Sequence, residues 1–132
     1  MRGLALLQKT LLLGIAWLAV ACSEPETARF SNPIIPGFAP DPSVVRVGDD
    51  FYLINSTFEY FPGIPIYHSR DLVDWKLIGH ALHDPGQADL ARLKSSDGIH
   101  ASTIRYHDGL FYVITTNNVD GEMINFIVTA AD

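Results

Sequence analysis

The 132-residue chain holds a single cysteine, Cys22, so no intramolecular disulfide can form. Basic residues are also scarce. Nine Lys and Arg stand against 15 Asp and Glu, giving a formal net charge of −6, and a surface of that sign argues against nucleic acid as a partner. Long hydrophobic runs are missing as well: the most apolar stretch, Leu11 to Ala21, is about a dozen residues, short of the roughly 20 that cross a bilayer. Metal-ligand spacing is absent around the histidines, so no metal and no cofactor is expected.

What is present begins with an export signal. Arg2 and Lys9 precede the apolar run, Ala19-Val20-Ala21 closes it with small residues, and polar Ser23-Glu24-Pro25-Glu26-Thr27 follows. Residues 1–21 therefore read as a signal peptide, which places the protein outside the cytoplasm, in the periplasm or cell envelope. They carry two positive charges and no acid, so their removal moves the net charge to −8. Leu18-Ala19-Val20-Ala21-Cys22 resembles a bacterial lipobox, although Ala19 stands where an aliphatic residue is usual. On that reading Cys22 becomes the lipid-bearing first residue, and residues 22–31 are a linker from a lipid anchor. The alternative is an ordinary cleaved signal with a cysteine beside the cut.

Beyond residue 31, short apolar runs alternate with turn residues, the pattern of strands and hairpins in an all-β fold. Strands are expected over Ser43–Val47, Phe51–Asn55, Ile64–Ser69 and Trp75–Gly79, in one meander. Pro85, Gly86 and Gly98 break the rhythm, leaving Gln87 to Lys94 as a short helix or a long loop. The pattern then restarts with Thr103–Tyr106, a His107-Asp108-Gly109 turn and Phe111–Thr115. Arg105 matches Arg46 at an offset of 59 residues, and Phe111-Tyr112 matches Phe51-Tyr52. Repeated meanders suit a β-propeller, whose period is usually about 40 to 50 residues. Two unrelated hairpins in a β-sandwich fit the periodicity about as well.

The densest signal is Asn32-Pro33-Ile34-Ile35-Pro36-Gly37-Phe38-Ala39-Pro40-Asp41-Pro42-Ser43. Its four prolines fix φ angles and remove backbone donors, so the stretch is a rigid lead-in to the first strand. Asp41 precedes a proline, which favours an extended backbone and a carboxylate presented in one direction. That suits a general base, since activating a water depends on a fixed distance to the reacting carbon. An Asp that caps a turn is the alternative.

Those residues, with Asp49-Asp50-Phe51-Tyr52, Ser56-Thr57-Phe58-Glu59-Tyr60-Phe61-Pro62-Gly63, His68-Ser69-Arg70-Asp71-Leu72, Trp75, Gly98-Ile99-His100-Ala101 and Thr103-Ile104-Arg105-Tyr106-His107-Asp108-Gly109, resemble family 43 of the glycoside hydrolases. The resemblance runs over about residues 31–132. It implies a five-bladed β-propeller, of which residues 32–132 form the first two blades. The implied activity is inverting, exo-acting hydrolysis by a β-xylosidase or α-L-arabinofuranosidase, with xylan- or arabinan-derived saccharides as partners. A non-catalytic carbohydrate-binding propeller and an endo-arabinanase are the alternatives.

On the same resemblance, Asp41 is the general base and Phe58 an aromatic of the sugar pocket, with His100 and its neighbour Ala101 bordering that pocket. A core aromatic is the commoner role of a Phe, and a lone histidine is more often structural than catalytic. Ser102 stands where the family usually has proline, which puts the stiffness of that loop in question. Calcium near the propeller axis occurs in some relatives.

An inverting glycosidase needs a second carboxyl group about 6.5 to 9.5 Å from the first. The resemblance assigns the acid to a glutamate, and its tuning partner to an aspartate, both beyond the point matching Asp132. Glu59 is not used as the acid in the family, and Asp120 and Glu122 fall in a polar, turn-like segment. The chain also ends within an apolar strand, Asn125 to Ala131, and 111 residues from Cys22 are few for an exported enzyme without disulfides. The chain is therefore expected to be a fragment, inactive and poorly folded by itself.

Overall fold

The computed structural model describes residues 30–91 and 93–131. The expected signal peptide, the lipidated Cys22 and the linker up to residue 29 lie outside the described residues. Within them the chain is all-β: β1 (Ser43–Val47), β2 (Asp50–Ile54), β3 (Gly63–Ser69), β4 (Lys76–Leu82), β5 (Gly98–His107), β6 (Leu110–Val119) and β7 (Glu122–Ala131). They form two antiparallel sheets, β1-β2-β3-β4 and β5-β6-β7, in which sequence neighbours are also spatial neighbours.

Two-residue turns set three of the registers. Val47 pairs with Asp50 across Gly48-Asp49, His107 with Leu110 across Asp108-Gly109, and Val119 with Glu122 across Asp120-Gly121. In the last two turns both residues have positive φ, 48° and 79°, then 53° and 88°. This is the type I′ geometry that matches strand twist and favours Asp-Gly. The first turn has positive φ at Gly48 alone but also holds only two residues, so β2 starts at Asp50, one residue before the expected Phe51.

Other boundaries also move. β4 runs from Lys76 to Leu82, not Trp75 to Gly79, because a bulge at Ile66/Tyr67 absorbs one residue of β4 and lets pairing continue to Gly63↔Leu82. Trp75 is outside the strand and donates its indole N–H to Leu72 O at 3.0 Å. Residues 87–91 and 93–94 form no helix; Gln87 instead ties the loop, accepting from His83 N and Asp84 N and donating to Ala81 O. The two arginines of the apparent repeat are not equivalent. Arg46 pairs with Phe51 whereas Arg105 pairs with Tyr112, a shift of one residue that reverses the face.

The sheets meet through their first strands, β1 beside β5, with Ile104 N donating to Ser43 Oγ at 3.2 Å. Ile54, Ile64 and Leu82 of one sheet and Ile99, Ile104 and Val113 of the other make the shared core. Burying each such side chain is worth about 1.5–3 kcal/mol. This core anchors the β1 and β5 ends where the candidate site lies.

Candidate active site

Four chain segments converge at one end of the sheets: the lead-in to β1, the segment after β2, the loop before β5 and the start of β5. The carbonyl of Pro40 accepts two hydrogen bonds, from Asn55 Nδ2 and from Ser56 N, each at 3.1 Å. Asn55 and Ser56 are both 1% exposed, so the peptide next to Asp41 is clamped to the interior. Asp41 itself is exposed. Its backbone is not extended as the following proline implied, because φ is +51°. The left-handed conformation is one that Asp tolerates better than most residues, and the Pro40 clamp turns the chain there into β1. Among the described residues nothing hydrogen-bonds the Asp41 carboxylate, so the structure gives the turn-capping alternative no support.

Phe58 follows two residues after the clamp. It forms an isolated bridge with Ile99, N to O in both directions at 3.0 Å, with φ at +50°. Gly98 makes this approach possible: a Cβ there would sit 2.3 Å from Phe58 O. The Phe58 ring is half-buried and meets His100 edge-on, with centroids 4.7 Å apart at 82°. It is therefore not a core aromatic. Phe38 lies 5.7 Å from Phe58, and Tyr60 5.6 Å from Phe38.

His100 Nε2 lies 3.0 Å from Ser96 O. A carbonyl only accepts, so the ring carries its proton on Nε2, and in the neutral form Nδ1 remains an acceptor. Ala101 is exposed, at φ +43°. It sits in a bulge between His100 and Thr103 where two β5 residues face Thr115 alone, the arrangement by which bulges re-aim side chains beside sites. Ser102, standing where proline was expected, does not loosen this turn. It is buried, with its Oγ 2.8 Å from Thr115 Oγ1, which in turn donates to His100 O at 3.0 Å.

Glu59 is occupied elsewhere, its Oε2 accepting from Ser96 N at 3.1 Å, and so braces the loop that holds His100. Asp120 and Glu122 are exposed at the β6–β7 turn. Among the described residues no group of three or more His, Cys, Asp or Glu is placed to hold a metal. Asn55, Gly98 and Phe38 are the residues that reading for chemistry passed over. Only Gly98 carried a local signal, as a glycine entering a strand.

The Glycosyl hydrolases family 43 model matches residues 30–132. A non-reducing end alpha-L-arabinofuranosidase of Bacteroides ovatus is 56% identical over 122 residues, covering 91% of this chain and 22% of its own length. A xylan 1,3-beta-xylosidase of a Vibrio species is 50% identical over 91 residues, 69% of this chain and 17% of its own. The solved structure of the GH43B protein of a Bacteroides ovatus xyloglucan PUL superposes with a TM-score of 0.73 at 60% identity, covering 78% of this chain and 21% of that one. The chain thus spans about a fifth of the length of these relatives, and its two meanders correspond to part of their propeller fold. It belongs to family 43 of the glycosyl hydrolases.

Proposed function

We propose that the protein carrying this chain is an inverting, exo-acting glycosidase that removes terminal xylose or arabinofuranose from plant saccharides, with Asp41 as general base. The observation that carries this reading is the exposed carboxylate of Asp41, without a hydrogen-bond partner among the described residues, on a peptide clamped through Pro40 at the same end of the sheets as the Phe58–His100 ring pair. The names of the relatives, an arabinofuranosidase and a xylosidase, support the substrate class.

In this mechanism the Asp41 carboxylate takes a proton from water as the oxygen attacks the anomeric carbon. The glycosidic C–O bond breaks on the opposite face, and a glutamate outside this chain protonates the leaving oxygen. Phe58 packs on the apolar face of the bound sugar, and His100 with Ala101 borders the same pocket. The two sheets are the first two blades of a five-bladed propeller, and the 132-residue chain alone is inactive. The protein is exported, with Cys22 lipidated; Cys22→Ser is expected to shift it from the membrane to the soluble fraction.

The test assays the full-length protein on aryl xylosides and aryl arabinofuranosides. Asp41→Asn, which keeps the shape of the side chain, is expected to lower kcat by about 10²- to 10⁴-fold. NMR of the first product is expected to show the inverted anomer. Turnover that survives Asp41→Asn would overturn the assignment of the base, as turnover by the 132-residue chain would overturn the placement of the acid.

A further inference from the structure

Beyond the Phe58–His100 pair proposed to border the sugar, the structure places two further aromatic side chains beside it. Phe38 is 62% exposed and Tyr60 58% exposed. They touch edge to face, with centroids 5.6 Å apart at 73°. Phe38 also meets Phe58 at 5.7 Å, and Phe58 meets His100 at 4.7 Å. The four rings therefore form one unbroken run, half-buried at His100 and Phe58 and open to solvent at Phe38 and Tyr60.

Contiguous apolar surface left in water marks an interaction site, whereas scattered single side chains do not, and these two rings are contiguous with each other and with Phe58. Both rings here stand on constrained backbone. Phe38 lies between Gly37, at φ +94°, and Ala39-Pro40, whose carbonyl is clamped by Asn55 and Ser56. Tyr60 N donates to Thr57 O at 3.0 Å in the turn that carries Phe58. Rings held this way lose little freedom when a ligand packs on them.

We propose that Phe38 and Tyr60 form an outer subsite for the leaving-group side of the substrate, the saccharide units beyond the bond that is cut. This rests on the glycosidase reading above. An exo-acting glycosidase holds the terminal sugar in its pocket, so the rest of the saccharide must leave over the rim, and the ring run passes from the Phe58–His100 pair to the solvent-exposed Phe38 and Tyr60. The chemistry fits a neutral saccharide: apolar C–H faces pack on the two rings, and the Tyr60 hydroxyl can exchange a hydrogen bond with a sugar hydroxyl at the rim.

The experiment uses the full-length protein with aryl glycosides and a matched series of di-, tri- and tetrasaccharides. The quantity read is the ratio of kcat/KM for the trisaccharide to that for the aryl glycoside. Phe38→Ala and Tyr60→Ala are each expected to lower that ratio about five- to tenfold, through KM. Tyr60→Phe keeps the ring and is expected to recover most of it. An unchanged ratio in both alanine variants, whether through equal losses on both substrates or no loss on either, overturns the subsite. Failure of the glycosidase reading looks different, since the unsubstituted protein would then cleave neither substrate class.

Discussion

At Gly98 the backbone of β5 presses directly on the backbone of Phe58. An added Cβ would meet Phe58 O at 2.3 Å and Phe58 C at 2.6 Å, and φ at this position is +92°. Both the contact and the dihedral therefore oppose any side chain. In the full-length protein Gly98→Ala is expected to cost about 2 kcal/mol or more of stability, and also to lower kcat/KM on aryl glycosides by displacing the Phe58 ring. Denaturant unfolding and steady-state assays check the two effects. Wild-type values for both would mean that the Phe58 bridge is dispensable. Asn55 acts at the same scale on the other side of the site, through the Pro40 carbonyl. The prolines drew attention to Asp41 while implying an extended backbone that its φ of +51° does not show; Asn55 drew none, because it is 15 residues from Pro40 and its role exists only once β1 and β2 pair.

Among the elements, the β3–β4 connection shows how a loop is held by one carboxylate. Asp71 Oδ1 accepts from Val73 N and Asp74 N, each at 2.8 Å, and from Ser69 Oγ at 3.0 Å. Ser69 Oγ accepts in turn from Asp71 N and Leu72 N. The backbone N–H groups of Asp74 and Val73, then the Ser69 hydroxyl, hold the Asp71 carboxyl below the ordinary aspartate value of 3.8. A depressed folded value means that its contribution is complete above the unfolded value and disappears as the pH falls through the folded one. Asp71→Ala is therefore expected to lower the melting temperature of the full-length protein at neutral pH. The gap from wild type should close as the solution is acidified below 3.8. A gap that stayed constant with pH would show that the carboxylate charge is not what holds the loop.

The same scale explains which strand boundaries could be read in advance. Ser43–Val47 was legible to the residue because three β-branched valines in a run of five end at a glycine turn. β4 was not, since its pairing with β3 passes through a bulge that hydrophobic alternation does not encode. The 59-residue offset between arginines pointed to a second meander that exists, although the register shows that Arg105 is not the counterpart of Arg46.

For the molecule as a whole, the deciding feature is the outer face of the β5–β6–β7 sheet. Ile114 pairs with Ile127 there, and the two are 47% and 57% exposed, with Met123 at 68%. The opposite face carries the shared core through Ile99, Ile104 and Val113. The outer face thus carries an apolar patch, set among Thr116, Asn118 and Asn125, that the described residues do not cover, and exposed apolar strand surface favours association. The 132-residue chain produced alone is therefore expected to self-associate, which sedimentation velocity would detect as species larger than the monomer. Ile114→Lys with Ile127→Lys places two like charges at paired positions on that face and should disperse those species without touching the core. The same double substitution in the full-length protein is expected to be strongly destabilising if a further blade covers the face, and nearly silent if it faces water. Opposite outcomes in the short and long chains would identify the face as an internal contact of the propeller.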